Sequence, residues 1–234
     1  MRTFCNCFAL LALVGGSLSF ANAAEIAPPQ RSSAQSQLAG TQANEENLDN
    51  QIAACMLLGN QEEAALGQYA EQHAQHEQVK KFAMMLVEHH GKAVAMIQQA
   101  APEVADLQLT IGESESSSKP APSPQGAAAS DRSIDMIQQV KGQCLALTQK
   151  ELDQYQGTEF DKAFIGQQLG AHLGMLAQLR GSKNFASPEL QKVIAEGEKM
   201  TIAHMVEAKK IMAEIKDLDS KTASANTGTA ASKR

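Results

Sequence analysis

Histidine and acidic residues recur on the apolar faces of the helices that this sequence predicts. Their side chains are therefore expected to point into the interior between the helices. On the third predicted helix, Asp161, Gln168 and His172 lie within about 40° of one another at the centre of the apolar face. His90 and His204 lie near the middle of the apolar stripes of two other predicted helices. Carboxylates and imidazoles that project into a bundle bind transition metals in some proteins and form buried hydrogen-bond networks in others.

The first predicted helix supplies one further candidate, Glu63, which lies slightly nearer the centre of its apolar face than Glu62. An unpaired buried polar group costs roughly 1–3 kcal/mol, whereas a whole domain is stable by only about 5–15 kcal/mol. The inward groups must therefore be paired with one another, with water or with a metal. The candidate metal ligands are Glu63, His90, Asp161, His172 and His204, and the cofactor is unknown, a transition metal being the candidate.

The spacing of the inward histidines excludes the usual di-iron centre. That centre carries a Glu-x-x-His motif on two helices. The residues three positions before the inward histidines are instead Val87, Leu169 and Thr201. The sequence also contains no His-Glu-x-x-His helix, no Cys-x-x-Cys pair and no phosphate-binding glycine loop, so the balance is against an enzyme.

The heights of the inward groups along the bundle follow from the positions of the predicted turns. The first turn puts Glu63 within one helical turn of His90. The second turn, predicted near residue 184, puts His204 between Asp161 and Gln168, each about one helical turn away. His172 is then roughly 12 Å from His204, at 1.5 Å per residue. These heights predict two carboxylate–imidazole pairs rather than one compact cluster.

The composition and the hydrophobic period predict an all-α protein. Ala and straight-chain residues dominate, aromatic residues make up 4%, and Trp is absent. Apolar residues recur with a 3.6-residue period in four segments, 45–73, 78–100, 160–179 and 188–218. Ser187 before Pro188 predicts a helix N-cap. The fold expected is a ferritin-like four-helix bundle whose crossover carries an extra helix at 134–155, together with a flexible leader, linker and tail.

The ends of the chain and one internal stretch have a different composition from the predicted bundle. Arg2, a short apolar run and the sequence Ala21-Asn22-Ala23 are typical of a secretory signal, and the protein is therefore expected to be periplasmic or secreted. The predicted organisation is a signal peptide at 1–23, a disordered leader at 24–43, a bundle at 44–218 with a low-complexity linker at 112–131, and a disordered tail at 219–234.

The charge pattern limits the partners. The net charge is −6 and no dense Lys/Arg cluster is present, which argues against a nucleic-acid partner. No transmembrane span is expected after signal cleavage, and a protein partner or a homo-oligomer stays open. Processing would leave Cys55 and Cys144, whose pairing the sequence does not determine. The glycines at 166, 170 and 174 are four residues apart and predict a close helix contact.

At these residues the chain resembles a bacterial family of exported ferritin-like bundles known as domain of unknown function 4142. Three stretches carry the resemblance: 63–90, with Glu63 and His90; Phe160 to His172, with Asp161; and Pro188 to Ala208, with His204. The family usually has Asp-His where this chain has His89-His90. The resemblance implies the ferritin-like topology and the same five site residues, but no reaction.

Several functional interpretations remain at this level. The leading one is a non-catalytic exported bundle, envelope or stress-related, in which the inward groups form a hydrogen-bonded polar layer. The rival is a metal-binding protein that uses the inward Glu, Asp and His side chains. A small-ligand pocket and an oxidase with an atypical centre are weaker alternatives.

Overall fold

The computed structural model describes residues 33–110 and 129–231. The α-helices are α1 (Ser33–His73), α2 (Glu77–Ala100), α3 (Ala129–Leu152), α4 (Thr158–Ser182) and α5 (Pro188–Ala231). Short 3₁₀ turns occupy Pro102–Val104 and Lys183–Phe185. No strand occurs in the described part of the chain. The all-α prediction and the extra crossover helix are therefore confirmed.

The short connections produce two antiparallel hairpins. Helix α1 packs against α2, α4 packs against α5, and contacts between α2 and α5 join the hairpins. The crossover helix α3 packs mainly on α1. This is the arrangement expected of a ferritin-like bundle with a long crossover.

The helix ends follow the local sequence. The imidazole of His76 accepts a hydrogen bond from the N–H of Gln78 at the start of α2. The predicted N-cap at Ser187 is confirmed, because its hydroxyl accepts a hydrogen bond from the N–H of Leu190 at 3.3 Å. Pro102 follows α2 and cannot continue its hydrogen-bond ladder. These caps fix where each hairpin turns.

Two apolar clusters fill the ends of the bundle. One includes Leu57, Ile97, Leu179 and Ile194, and the other includes Leu86, Phe160, Phe164 and Ile211. On each helix the inward polar residues other than Asp161 come between the stretches that contribute to the two clusters. The polar groups therefore form a layer across the middle of the core, away from both ends.

The observed helices extend further than the sequence predicted. Helix α1 begins at Ser33, within the predicted leader, and α5 continues to Ala231, beyond the predicted end near residue 218. Ala and Gln favour helix between 33 and 43, and an established helix adds residues more readily than a new one starts. The signal peptide at 1–23 and most of the linker lie outside the described residues. Within those residues, none of the helices is long and apolar enough to cross a bilayer.

A close helix contact occurs at a glycine that was not predicted, and two of the three predicted glycines have open space around them. A Cβ atom at Gly166 or Gly170 would meet no atom within 4 Å, so neither glycine is needed for packing. A Cβ at Gly67 would lie 2.9 Å from the backbone oxygen of Ala83 and 3.0 Å from a methyl of Val87. A glycine that lets two helices approach closely therefore lies in the α1–α2 hairpin.

Replacing Gly67 with alanine is expected to destabilise the protein by about 1–3 kcal/mol, because the backbone of α2 would have to move. Gly91→Ala is the matched control, since a Cβ there meets no atom within 4 Å. The control is expected to be neutral or to stabilise by up to about 1 kcal/mol. Urea unfolding followed by circular dichroism measures both, and a stabilised Gly67→Ala variant would contradict the close contact.

Candidate metal centre

Three buried histidines from three helices meet in the polar layer. His90 comes from α2, His172 from α4 and His204 from α5, and each is at most 1% exposed. One ring nitrogen of each lies within 4.8 Å of those of the other two. The ring centroids are 5.0 Å apart for His172 and His204, 5.1 Å for His90 and His204, and 5.5 Å for His90 and His172. The structure thus brings together three of the five predicted site residues.

The hydrogen bonds determine which ring nitrogen carries the proton in a chain of three imidazoles. The Nδ1 of His172 lies 2.9 Å from the backbone oxygen of Gln168, which can only accept, so Nδ1 carries the proton. The Nε2 of His172 then accepts from the Nδ1–H of His204 at 2.9 Å. The Nε2 of His204 in turn accepts from the Nδ1–H of His89, also at 2.9 Å. A single backbone carbonyl therefore sets the tautomers of three rings.

His90 completes the cluster with a nitrogen that has no partner. Its Nδ1–H donates to the side-chain oxygen of Asn60 at 2.8 Å. The amide nitrogen of Asn60 donates to the backbone oxygen of Met56 at 2.7 Å, which fixes the orientation of the amide. The Nε2 of His90 therefore carries a lone pair, and it is buried without a hydrogen-bond partner among the described residues.

Burial keeps the three rings neutral. It lowers the pKa of His172 to about 4 and that of His204 to about 3, the latter with help from His172 and His89. It also lowers the pKa of His90 well below its ordinary value, again with help from its histidine neighbours. Neutral imidazole is the form that binds metals, so the rings are in the ligating state at pH 7.

Glu63 is buried beside the cluster but is not a member of it. The side chain is 3% exposed, and one of its oxygens has no hydrogen-bond partner among the described residues. Burial raises the pKa of this carboxyl to about 7, although a hydrogen bond from Gln168 and the charge of Lys141 oppose the shift. The Glu63 carboxyl therefore takes up its proton at a much higher pH than an exposed glutamate does.

Asp161 is placed elsewhere and has a structural role. Its two carboxylate oxygens accept hydrogen bonds from the backbone N–H groups of Gln75 and His76, at 3.0 and 2.9 Å. Asp161 therefore ties the start of α4 to the turn between α1 and α2. The structure does not bring it to His204 or to the other inward histidines.

The predicted heights in the second hairpin were wrong, for a reason visible in the turn. The prediction reversed the chain near residue 184, but the 3₁₀ turn Lys183–Phe185 continues from α4 before the chain reverses at Ala186 and Ser187. A later reversal brings a later residue of α4 level with His204. That residue is His172, and the expected separation of roughly 12 Å becomes a hydrogen bond of 2.9 Å.

Two members of the site were not predicted. Asn60, rather than Glu63, is the partner of His90, and it lies almost one turn before Glu63 on the same face of α1. Steps of 100° per residue put His89 on the flank of the apolar stripe of α2, yet its ring contacts His204 directly. The available signal for His89 was its position beside His90, where the resembling family usually has an acid.

A buried ion pair joins the crossover helix to the same layer. The Nζ of Lys141 on α3 lies 2.9 Å from a carboxylate oxygen of Glu62, with 11% and 10% of the two side chains exposed. Burial raises the pKa of the Glu62 carboxyl, and Lys141 opposes that shift. Since Glu62 is next to Glu63, the lysine places a positive charge beside two buried carboxyls.

The fold and the layer define an all-helical bundle with a polar, histidine-rich core. The chain belongs to the family described as "Domain of unknown function (DUF4142)", whose sequence profile matches residues 32–211. The resemblance seen in the sequence is thereby confirmed. Searches of curated proteins and of solved structures returned no match.

Proposed function

We propose that this protein is exported and binds one transition-metal ion in the middle of the bundle through His90, His172 and His204. The proposal depends on three buried, neutral imidazoles. Each of them has one ring nitrogen that lies within 4.8 Å of a ring nitrogen of the other two. The apolar signal-like run and the Ala21-Asn22-Ala23 sequence support export to the periplasm or the medium. A binding role in the cell envelope is proposed rather than a reaction.

The donor set limits which ions are suitable. Neutral imidazoles suit Zn²⁺, Cu²⁺, Ni²⁺ and Fe²⁺, whereas Mg²⁺ and Ca²⁺ require oxygen ligands. Around a tetrahedral ion with bonds near 2.1 Å, ligand nitrogens are roughly 3.4 Å apart. The Nε2 of His172 and the Nδ1 of His204, now 2.9 Å apart, would therefore need to separate by roughly 0.5 Å. The nitrogen of His90, which lies within 4.8 Å of the other two, would need to move closer by on the order of 1 Å. Three histidines leave a fourth position open to water or another small ligand.

Ion binding changes tautomers without changing the charge of the rings. The Nδ1 of His204 holds the proton shared with His172, so that proton must leave Nδ1 before the nitrogen can bind an ion. In the alternative tautomer of His204 the proton is on Nε2, where the Nδ1 of His89 can accept it. A ligating histidine that donates its other N–H to a partner is the usual arrangement in metal sites.

A purely structural polar layer is the second candidate. The chain from His89 through His204 and His172 to the carbonyl of Gln168 is satisfied by its own hydrogen bonds. The unpartnered Nε2 of His90 favours the ion, because a layer that evolved only for packing would leave this buried acceptor unpaired at a cost of roughly 1–3 kcal/mol.

Titration of chelator-treated protein, purified without a histidine tag, tests the proposal. We expect one Zn²⁺ or Co²⁺ per chain by calorimetry and elemental analysis, with a visible absorption spectrum typical of tetrahedral Co²⁺. A His172→Ala, His204→Ala double variant is expected to lose binding. His204→Gln is a milder variant that keeps a polar side chain if the double variant unfolds.

The matched control removes two other histidines. His73 is exposed and His76 lies at the α1–α2 turn, so a His73→Gln, His76→Asn variant is expected to keep one ion per chain; asparagine retains an N-cap acceptor. Wild-type protein that takes up no stoichiometric ion, or a folded double variant that still binds one, would contradict the three-histidine site.

A further inference from the structure

A surface cavity reaches the histidine cluster from one side. The cavity has a volume of about 310 Å³ and lies between α2 and α5, where Phe82, Met85, His89, Ala203 and His204 line it. His204 is therefore both a member of the buried cluster and part of the cavity wall. His90 and His172, the other two members, are not among the residues that line it.

His89 stands between solvent and the cluster. The residue is half-buried, and its Nδ1 lies 2.9 Å from the Nε2 of His204. The two rings are stacked, with centroids 5.2 Å apart and planes at 13°. An ion that arrives through the cavity would therefore meet the imidazole of His89 before it could reach a nitrogen of the buried cluster.

The remaining cavity wall is suited to a weak, transient contact with a transition metal. Met85 lies one turn before His89 on α2 and adds a thioether, which binds soft ions. The carboxylate of Glu207 and the ammonium of Lys81 also line the cavity, and Lys210 lies 3.4 Å from Glu207. These charges largely balance, so the imidazole and the thioether are the groups that distinguish this opening from ordinary surface.

We infer that this cavity is the route by which a transition-metal ion reaches the buried histidines, and that His89 is the residue that receives the ion first. The inference rests on the proposed function, and it adds a route and a positioning residue to that site. A substitution that only obstructs the route raises the barrier in both directions. It therefore changes the association and dissociation rates together and leaves the dissociation constant nearly unchanged.

Stopped-flow loading of the metal-free protein with Co²⁺ or Zn²⁺, and release to a chelator, test the inference. For Ala203→Phe we expect both rates to fall by about 10-fold or more while the dissociation constant changes by less than about 3-fold, because the ring narrows the cavity without removing a nitrogen. This variant keeps the His89–His204 hydrogen bond. For His89→Leu we expect the loading rate to fall by about 10-fold or more, together with weaker binding, because His204 also loses its hydrogen-bond partner.

Two controls accompany these variants. Ala213→Phe places the same ring at another exposed position of α5, and His73→Gln removes an exposed imidazole outside the cavity; both are expected to load at the wild-type rate.

Unchanged loading rates in His89→Leu and Ala203→Phe would overturn the route. Affinity at least 10-fold weaker at an unchanged association rate would show that His89 only orients His204, and would also overturn it. In both cases the wild-type stoichiometry would survive, so failure of the route is distinguishable from failure of the three-histidine site.

Discussion

Between pH 7 and pH 5 the metal-free protein is expected to lose about 3 kcal/mol of its free energy of unfolding. Burial holds the pKa of His90, His172 and His204 below the ordinary value of 6.5. As the pH falls below 6.5 the unfolded chain takes up these protons and the folded protein does not. Each histidine therefore costs about 2 kcal/mol by pH 5.

Glu63 acts in the opposite direction over the same range. Burial raises the pKa of its carboxyl from 4.5 to about 7 in the folded protein, so the folded state takes up this proton before the unfolded chain does. The contribution of Glu63 to stability is full below pH 4.5 and is lost as the pH rises through 7; on acidification from pH 7 to 5 it returns about 2 kcal/mol. Burial also raises the pKa of Glu62, which changes the stability in the same direction as Glu63 does. The three histidines outweigh both carboxyls.

Urea unfolding at a series of pH values measures the balance. The Glu63→Gln variant removes one opposing contribution, so its loss between pH 7 and 5 is expected to exceed that of the wild type by about 2 kcal/mol. A free energy of unfolding that stays level or rises from pH 7 to pH 5 in the wild type would contradict the buried, neutral state of the histidines.

Replacing Lys141 with methionine is expected to destabilise the protein by about 3–5 kcal/mol at pH 7. The substitution would leave the carboxylate of Glu62 buried without the ammonium that lies 2.9 Å away, and next to a second buried carboxyl. An unpaired charge in the core lowers the free energy of unfolding, and part of this cost would be relieved by protonation of Glu62. Urea unfolding of the two proteins measures the difference.

A double variant separates the ion pair from the packing. Because desolvation offsets most of the attraction in a buried pair, Glu62→Gln with Lys141→Met is expected to be within about 1 kcal/mol of the wild type. Lys199→Met is the matched control, since the Lys199–Glu196 pair has an N–O distance of 2.7 Å but is 73% and 58% exposed; its expected cost is below about 1 kcal/mol. Equal effects of Lys141→Met and Lys199→Met would contradict the argument.

The helical architecture could be predicted because it depends on local sequence. The 3.6-residue period located four of the five α-helices in the described part of the chain, and the amphipathic stretch 134–155 located the fifth. Ser187 with Pro188 located one helix start correctly. The outer ends could not be placed, because residues 33–43 have no apolar period and extend a helix that the core has already fixed. The period also identified the inward histidines, each of which is buried.

The composition of the site depended on longer-range geometry. The direction of a side chain follows from 100° per residue, but its height along the bundle depends on where each hairpin reverses. Because a 3₁₀ turn follows α4, the chain reverses later than predicted. The neighbour of His204 is therefore His172 and not Asp161. Asn60 and Lys141 were missed for a related reason: nothing in one helix indicates which side chain of another helix is level with it.

The histidines that meet in the core belong to different halves of the chain. His90 lies in the first hairpin, His172 and His204 lie in the second, and the crossover separates them in sequence. A shared ion would act as a reversible cross-link that closes this long loop and restricts the unfolded chain. The stability of the protein would then depend on the concentration of free metal ions around it, because the bonds that hold the ion would also join the two halves of the chain.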